Sequence, residues 1–276
     1  MRGRRRYNPA LGRKASRNGR IGGEISSAGA PAANSGANRG ERGGGGSEMD
    51  FLLEGIRDGI YLALSGDPDV MRASWVTVRV SFGATAVAGL IGLPIGWVLA
   101  SHRFPGRGAA ISVIQTLLGF PTVVIGLVVY GLLSRRGPLG FANLLFTPTA
   151  IVIGLVILSV PIISVFTMTA ISSVDARARE TALTLGASPR LAAWTVLREA
   201  RFGLIAAILG AFGRVSSEVG IAMMLGGNIR GYTRTLTTGI ALESMKGDFG
   251  FGIALGVVLM AIIFIINLGT RILQKS

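Results

Sequence analysis

The chain has 276 residues, half of them apolar, with 15% charged residues, a formal net charge of +14 and a mean hydropathy of +0.56. With no cysteine and one histidine, His102, it offers no disulfide framework, no thiolate metal site, no cysteine nucleophile and little material for histidine acid–base chemistry. Soluble domains of this length are rarely so apolar, and the apolar residues run in blocks of the roughly 20 residues that cross about 30 Å of hydrocarbon as a helix.

The positive charge is unevenly placed. Residues 1–48 hold 10 of the 28 Lys and Arg and only 3 of the 14 Asp and Glu, among Gly, Ser, Ala and Asn. Such a leader has almost nothing to bury and is expected to be disordered. It is either an RNA- or lipid-binding tail or a solvated extension ahead of the natural start. It lacks the apolar region of a signal peptide. Met49 opens the first amphipathic stretch, so the natural start is expected at or near Met49, with no nucleic-acid partner.

Apolar positions at helical spacing (Phe51, Leu52, Ile56, Ile60, Leu64) are interrupted by Glu54, Arg57 and Asp58. This reads as an interfacial amphipathic helix, within a segment 49–74 that includes the turn Ser65-Gly66-Asp67-Pro68. Five spans follow at about 75–100, 109–133, 147–171, 203–225 and 249–268, giving an all-α polytopic membrane protein. Gly92/Gly96 and Gly252/Gly256 suit close helix packing in lipid. Pro121 and Pro161 each remove a helix hydrogen bond, so each reads as a gate hinge or as a packing-fixed bend.

Residues 172–202, between the third and fourth spans, are polar and helix-favouring. They read as two short helices, the first with Asp175 near its start and Gly186 at its end, the second opened by Ser188 as N-cap and Pro189 at the first position. Leu183, Leu185, Leu191, Trp194 and Leu197 would pack this knob or meet a partner. Nine Lys and Arg flank the spans on the knob's side against seven on the other. That narrow excess favours the orientation in which the knob and the C-terminus are cytoplasmic.

Within the fourth span, Arg214 and Glu218 are spaced to share one helix face and pair, with Ser216 and Ser217 beside them. Ionisable residues in spans default to function, so these four read as part of a translocation path, with a self-satisfied structural ion pair as the plain alternative. Arg79 reads as a snorkelling interfacial residue.

The run Glu180-Thr181-Ala182-Leu183-Thr184-Leu185-Gly186-Ala187 resembles the Glu-x-Ala-x-x-x-Gly loop of permease subunits of bacterial ATP-binding-cassette importers. Its place in the one large loop, three spans before and two after, strengthens the likeness. The family's further Leu-Pro is Leu197-Arg198 here. That run, with Gly213-Arg214-Val215-Ser216-Ser217-Glu218-Val219-Gly220, Ser134-Arg135-Arg136-Gly137-Pro138-Leu139-Gly140 and the stretches Met223 to Ile229 and Thr235 to Glu243, is similar to the tungstate branch, near the molybdate and sulfate permeases. The resemblance implies a cytoplasmic-membrane subunit that imports an oxyanion by alternating access. It also implies coupling to the ATPase through Glu180, Ala182, Leu183, Leu185, Gly186 and Ala187. The implied partners are two ATPase copies carrying ATP and Mg, an extracytoplasmic oxyanion-binding protein, a second copy of this chain and membrane lipid. No phosphate loop of the Gly-x-x-x-x-Gly-Lys-[Ser/Thr] type occurs, so no cofactor is expected in this chain. A self-contained anion carrier or channel is the competing class, against which stands the lack of an internal repeat.

Overall fold

A computed structural model describes residues 48–275, and the leader, including the proposed start, lies outside the described residues. Helix α1 (Glu48–Ser65) turns at Gly66 into α2 (Pro68–Ser101), where the Asp67 carboxylate caps the free amides of Asp69 and Val70. The first span thus begins at Pro68, earlier than hydropathy places it. Next come α3 (Arg107–Leu118), α4 (Thr122–Leu133), a 3-10 turn at Gly140–Ala142 and α5 (Pro148–Ser172). The chain continues through α6 (Ala176–Thr184), α7 (Pro189–Glu199), α8 (Arg201–Ser216), α9 (Gly220–Gly226), α10 (Leu236–Lys246) and α11 (Phe249–Lys275). Among the described residues there is no strand.

Among the described residues three helices (α2, α5 and α11) are long and apolar enough to span alone, and the number is five when each of two bent pairs is taken as one span. The expected second span is not one helix. It breaks at Gly119–Pro121 and α3 and α4 meet at 98°, because Pro121 has no amide to continue the ladder and its ring blocks the preceding turn. The fourth expected span breaks between α8 and α9 with a 61° bend. At Pro161, in contrast, α5 continues unbroken and the proline ring is buried.

Helices α2 and α5 run parallel and in close contact. A Cβ built on Gly92 would lie 2.9 Å from Ile163 Cβ, and one on Gly96 would lie 2.5 Å from Thr167 Cβ, so only glycine permits this approach. Helices α8 and α9 run antiparallel to α5: Gly203 sits against Ala170 at one end and Gly226 against Ile151 at the other. Val80, Ala84, Ile151, Leu155, Ile163 and Ile221 form the buried centre. Helix α1 lies along α11, with Gly59 against Ile253 and Ala254. The ends of α2 and α5 and the start of α8 therefore gather at one pole, beside the α6–α7 knob. The start of α2 and the 227–235 loop gather at the other.

Candidate coupling loop and translocation path

Local chemistry explains the knob. The Asp175 carboxylate accepts the Arg177 amide at 2.9 Å and starts α6. At the other end the Ala187 amide donates to Ala182 O at 3.0 Å and the Gly186 amide to Leu183 O at 3.0 Å. This pair of bonds is a Schellman closure, which needs a left-handed residue, and Gly186 supplies it at φ +85°. The Ser188 hydroxyl accepts the Leu191 amide and starts α7, with Pro189 first. Helix α7 buries Ala192 and Val196, and Val196 with Ala200 beyond it packs against Ile171, Trp97, Ala100 and Leu204. The knob is thereby seated on the ends of α2 and α5 and the first turn of α8.

Its outer face remains open. Leu185 is 82% exposed and Trp194 62%, and Glu180 and Gly186 are exposed too, whereas Ala182, Leu183 and Ala187 are half-buried. Trp194, Leu197, Arg198, Arg201 and Leu204 line a hollow of about 390 Å³. The Arg201 guanidinium lies 4.6 Å above the Phe202 ring. The result is an apolar, cation-edged surface on a rigid mount, suited to receiving another protein.

At mid-span the Arg214 guanidinium donates to Glu218 Oε2 at 2.8 Å, with side chains 43% and 4% exposed. The two do not share a continuous helix, as their spacing led one to expect. Helix α8 ends at Ser216, and Glu218 stands in the break. Its Oε1 accepts the amides of Gly220 (3.0 Å) and Ile221 (3.4 Å), and its backbone carbonyl accepts the Thr237 hydroxyl at 2.9 Å. Glu218 thus caps α9, where negative charge meets the amides left free at a helix start. Nor do the four polar residues line one surface. Ser216 and Glu218 are buried, while Arg214 and Ser217 are open, the latter donating to Arg214 O at 3.0 Å. A Cβ on Gly220 would lie 3.3 Å from Val123 and 3.5 Å from Thr122 Oγ1, so the broken spans touch just past their breaks. Pro121 and Glu218 therefore border one junction.

Two features were not read from the sequence. Helix α10 is a polar helix held by the Thr235/Thr238 capping box, for which the Thr-x-x-Thr spacing was the available signal. Ion pairs also tie the pole opposite the knob: Asp69 bonds Arg230 in bidentate fashion, and Glu243 bonds Arg234 and Lys246. The Asp69 carboxylate holds the Arg230 guanidinium above its already high range.

Residues 92–276, which include the knob and both breaks, match the family model described as binding-protein-dependent transport system inner membrane component. The chain is 42% identical over 207 residues to a probable anion ABC transporter permease protein of Haloferax volcanii, covering 73% of this chain and 89% of that protein. It is 37% identical over 228 residues to the tungstate uptake system permease protein TupB of Peptoclostridium acidaminophilum, covering 83% and 100%. Its fold is similar to that of the MetNI methionine ABC transporter in an inward-facing conformation. There the TM-score is 0.61 at 19% identity, with 75% of this chain and 95% of that one covered.

Proposed function

The chain belongs to the binding-protein-dependent transport system inner membrane component family, and on that premise we propose that it carries an oxyanion, tungstate first, inward by alternating access. The observation that carries the cargo is the 37% identity to a tungstate permease along that relative's entire length. Two copies of the chain form the pathway, each served by one copy of an ATPase subunit that brings the ATP and Mg. An extracytoplasmic oxyanion-binding protein delivers the anion at the pole opposite the knob, and the knob and C-terminus face the cytoplasm.

In this reading the ATPase receives α6, with Leu185 and Glu180 presented outward and Gly186 fixing the turn behind them. Because α7 is seated on α2, α5 and α8 together, displacement of the knob moves three helices as one. The junction at Pro121 and Glu218 is where the bent spans change angle, and Arg214 and Ser217 are its groups open to a passing anion. Two discrete packings at such a junction are what alternating access requires.

The test is flux. Proteoliposomes holding this chain, the ATPase and the binding protein should accumulate tungstate only with ATP, with molybdate and sulfate as competitors in the same assay. Tungstate flux through this chain alone, without ATP, would make it a self-contained carrier and overturn the proposal.

A further inference from the structure

Arg79 stands in a span, yet among the described residues it has no ion-pair partner. Neither can the helices that wall its groove, α2 and α5, supply one. No Asp or Glu occurs between Asp69 and Asp175, so α3, α4, α5 and the rest of α2 contain no carboxylate. An unpaired cation at membrane depth is costly unless it reaches the interface or an anion.

The register of α2 against α5 places Arg79 in depth. Gly83 sits against Val152, and Arg79 lies level with Pro148 and Thr149, the first turn of α5. Helix α5 has 25 residues, about 37 Å at 1.5 Å per residue, so it covers the roughly 30 Å of hydrocarbon with a few ångströms over. Helix α2 has 34, about 50 Å, and its surplus lies before Arg79. Arg79 is thus at the boundary between headgroups and hydrocarbon, in the leaflet opposite the knob. Around it is a mainly apolar groove of about 470 Å³, walled by Trp75, Phe82, Gly83, Pro148 and Val152. Trp75 and Phe82 are exposed on the same stripe of α2 as Arg79.

We infer that this groove binds an anionic phospholipid, its phosphate on the Arg79 guanidinium beside Trp75 at headgroup level and its acyl chain along Phe82 and Val152. A cation with no carboxylate paired to it or lining its groove, at phosphate height and above an apolar trough, matches a ligand with one negative head and a hydrocarbon tail. A free anion would use the cation and leave the trough unfilled. The inference goes beyond the transport reading and is independent of the cargo.

The experiment uses the full chain in nanodiscs with Trp75→Phe, Trp97→Phe and Trp194→Phe together with Phe82→Trp, which leaves one tryptophan, at acyl-chain depth below Arg79. Its fluorescence is quenched with brominated phosphatidylglycerol or brominated phosphatidylcholine. The glycerol lipid should quench half-maximally at about fivefold lower mole fraction, the effect of ~1 kcal/mol per basic residue at an anionic surface. Arg79→Gln should abolish that preference and Arg79→Lys should keep it. Equal quenching by both lipids, or a preference surviving in Arg79→Gln, would overturn the inference. So would relief of quenching by inorganic phosphate, which would make the ligand a free anion, or no quenching by either lipid, which would mean that a second copy covers the groove.

Discussion

The Gly220 amide donates to Glu218 Oε1 at 3.0 Å, across the break in the fourth span. One side chain thus holds the first amides of the next helix and still pairs with Arg214 in the last turn of the one before. Its carboxylate stands in for the backbone bonds lost at the bend, which lipid would not replace.

Removal of that carboxylate should cost more than removal of its cationic partner. Glu218→Ala leaves the Gly220 and Ile221 amides without their acceptor and is expected to lose about 2–4 kcal/mol, within the range for buried charged hydrogen bonds and broken buried pairs. Arg214→Ala, whose side chain is 43% exposed and whose loss leaves the Glu218 carboxylate its two amide donors, should lose less than that. Thermal unfolding in detergent of both single variants and the double variant checks this ordering and gives the pair's coupling energy.

The knob turn should be specific for glycine through its backbone and not for lack of room, since nothing lies within 4 Å of a Cβ built at Gly186. Gly186→Asn is expected to be tolerated, Gly186→Ala to cost about 1 kcal/mol and Gly186→Val to cost more, following the left-handed penalty for L-residues. Uptake and ATPase rates in the assembled transporter should fall in the same order while membrane insertion stays constant.

At the α2–α5 contact the constraint is space. Gly96→Ala should meet Thr167 and the Ser164 carbonyl, driving the helices apart at a cost of about 1–3 kcal/mol. Gly96→Ala combined with Thr167→Ala should recover part of the loss. Melting temperatures of the two variants decide this, and an unchanged melting temperature in Gly96→Ala would contradict the packing described.

Helix α10 depends on its first turn. Thr235→Ala removes the acceptor of the Thr238 amide and a partner of the Thr237 hydroxyl, which itself reaches Glu218 O. A loss of about 1 kcal/mol is expected from the cap. Hydrogen exchange should rise first at the start of α10 and then at the Glu218 break.

The long apolar runs were legible because any helix that crosses lipid must be apolar along its length, bent or straight. For the same reason the bends were hidden. Both halves of a broken span pass the hydropathy test, and only Gly119-Phe120-Pro121 carried a local sign of one. The second break has no proline, since it is made by Glu218 folding back onto Gly220, which depends on a three-dimensional partner set. The knob was legible residue by residue because Asp175, Gly186, Ser188 and Pro189 each act within a turn or two. Ser216 and Ser217 were not separable, since which of two adjacent residues is buried depends on neighbours from other helices. Polar α10 carries no span signal, and its role is set by contacts to Glu218 and Thr77 from distant parts of the chain.

The most direct test of coupling through the knob is ATPase activity in liposomes that hold this chain, its ATPase and the oxyanion-binding protein. Tungstate should stimulate hydrolysis in the native chain, and Gly186→Val should abolish the stimulation while leaving the complex assembled. Full stimulation in Gly186→Val would contradict the claim that this loop transmits the work of ATP to the spans.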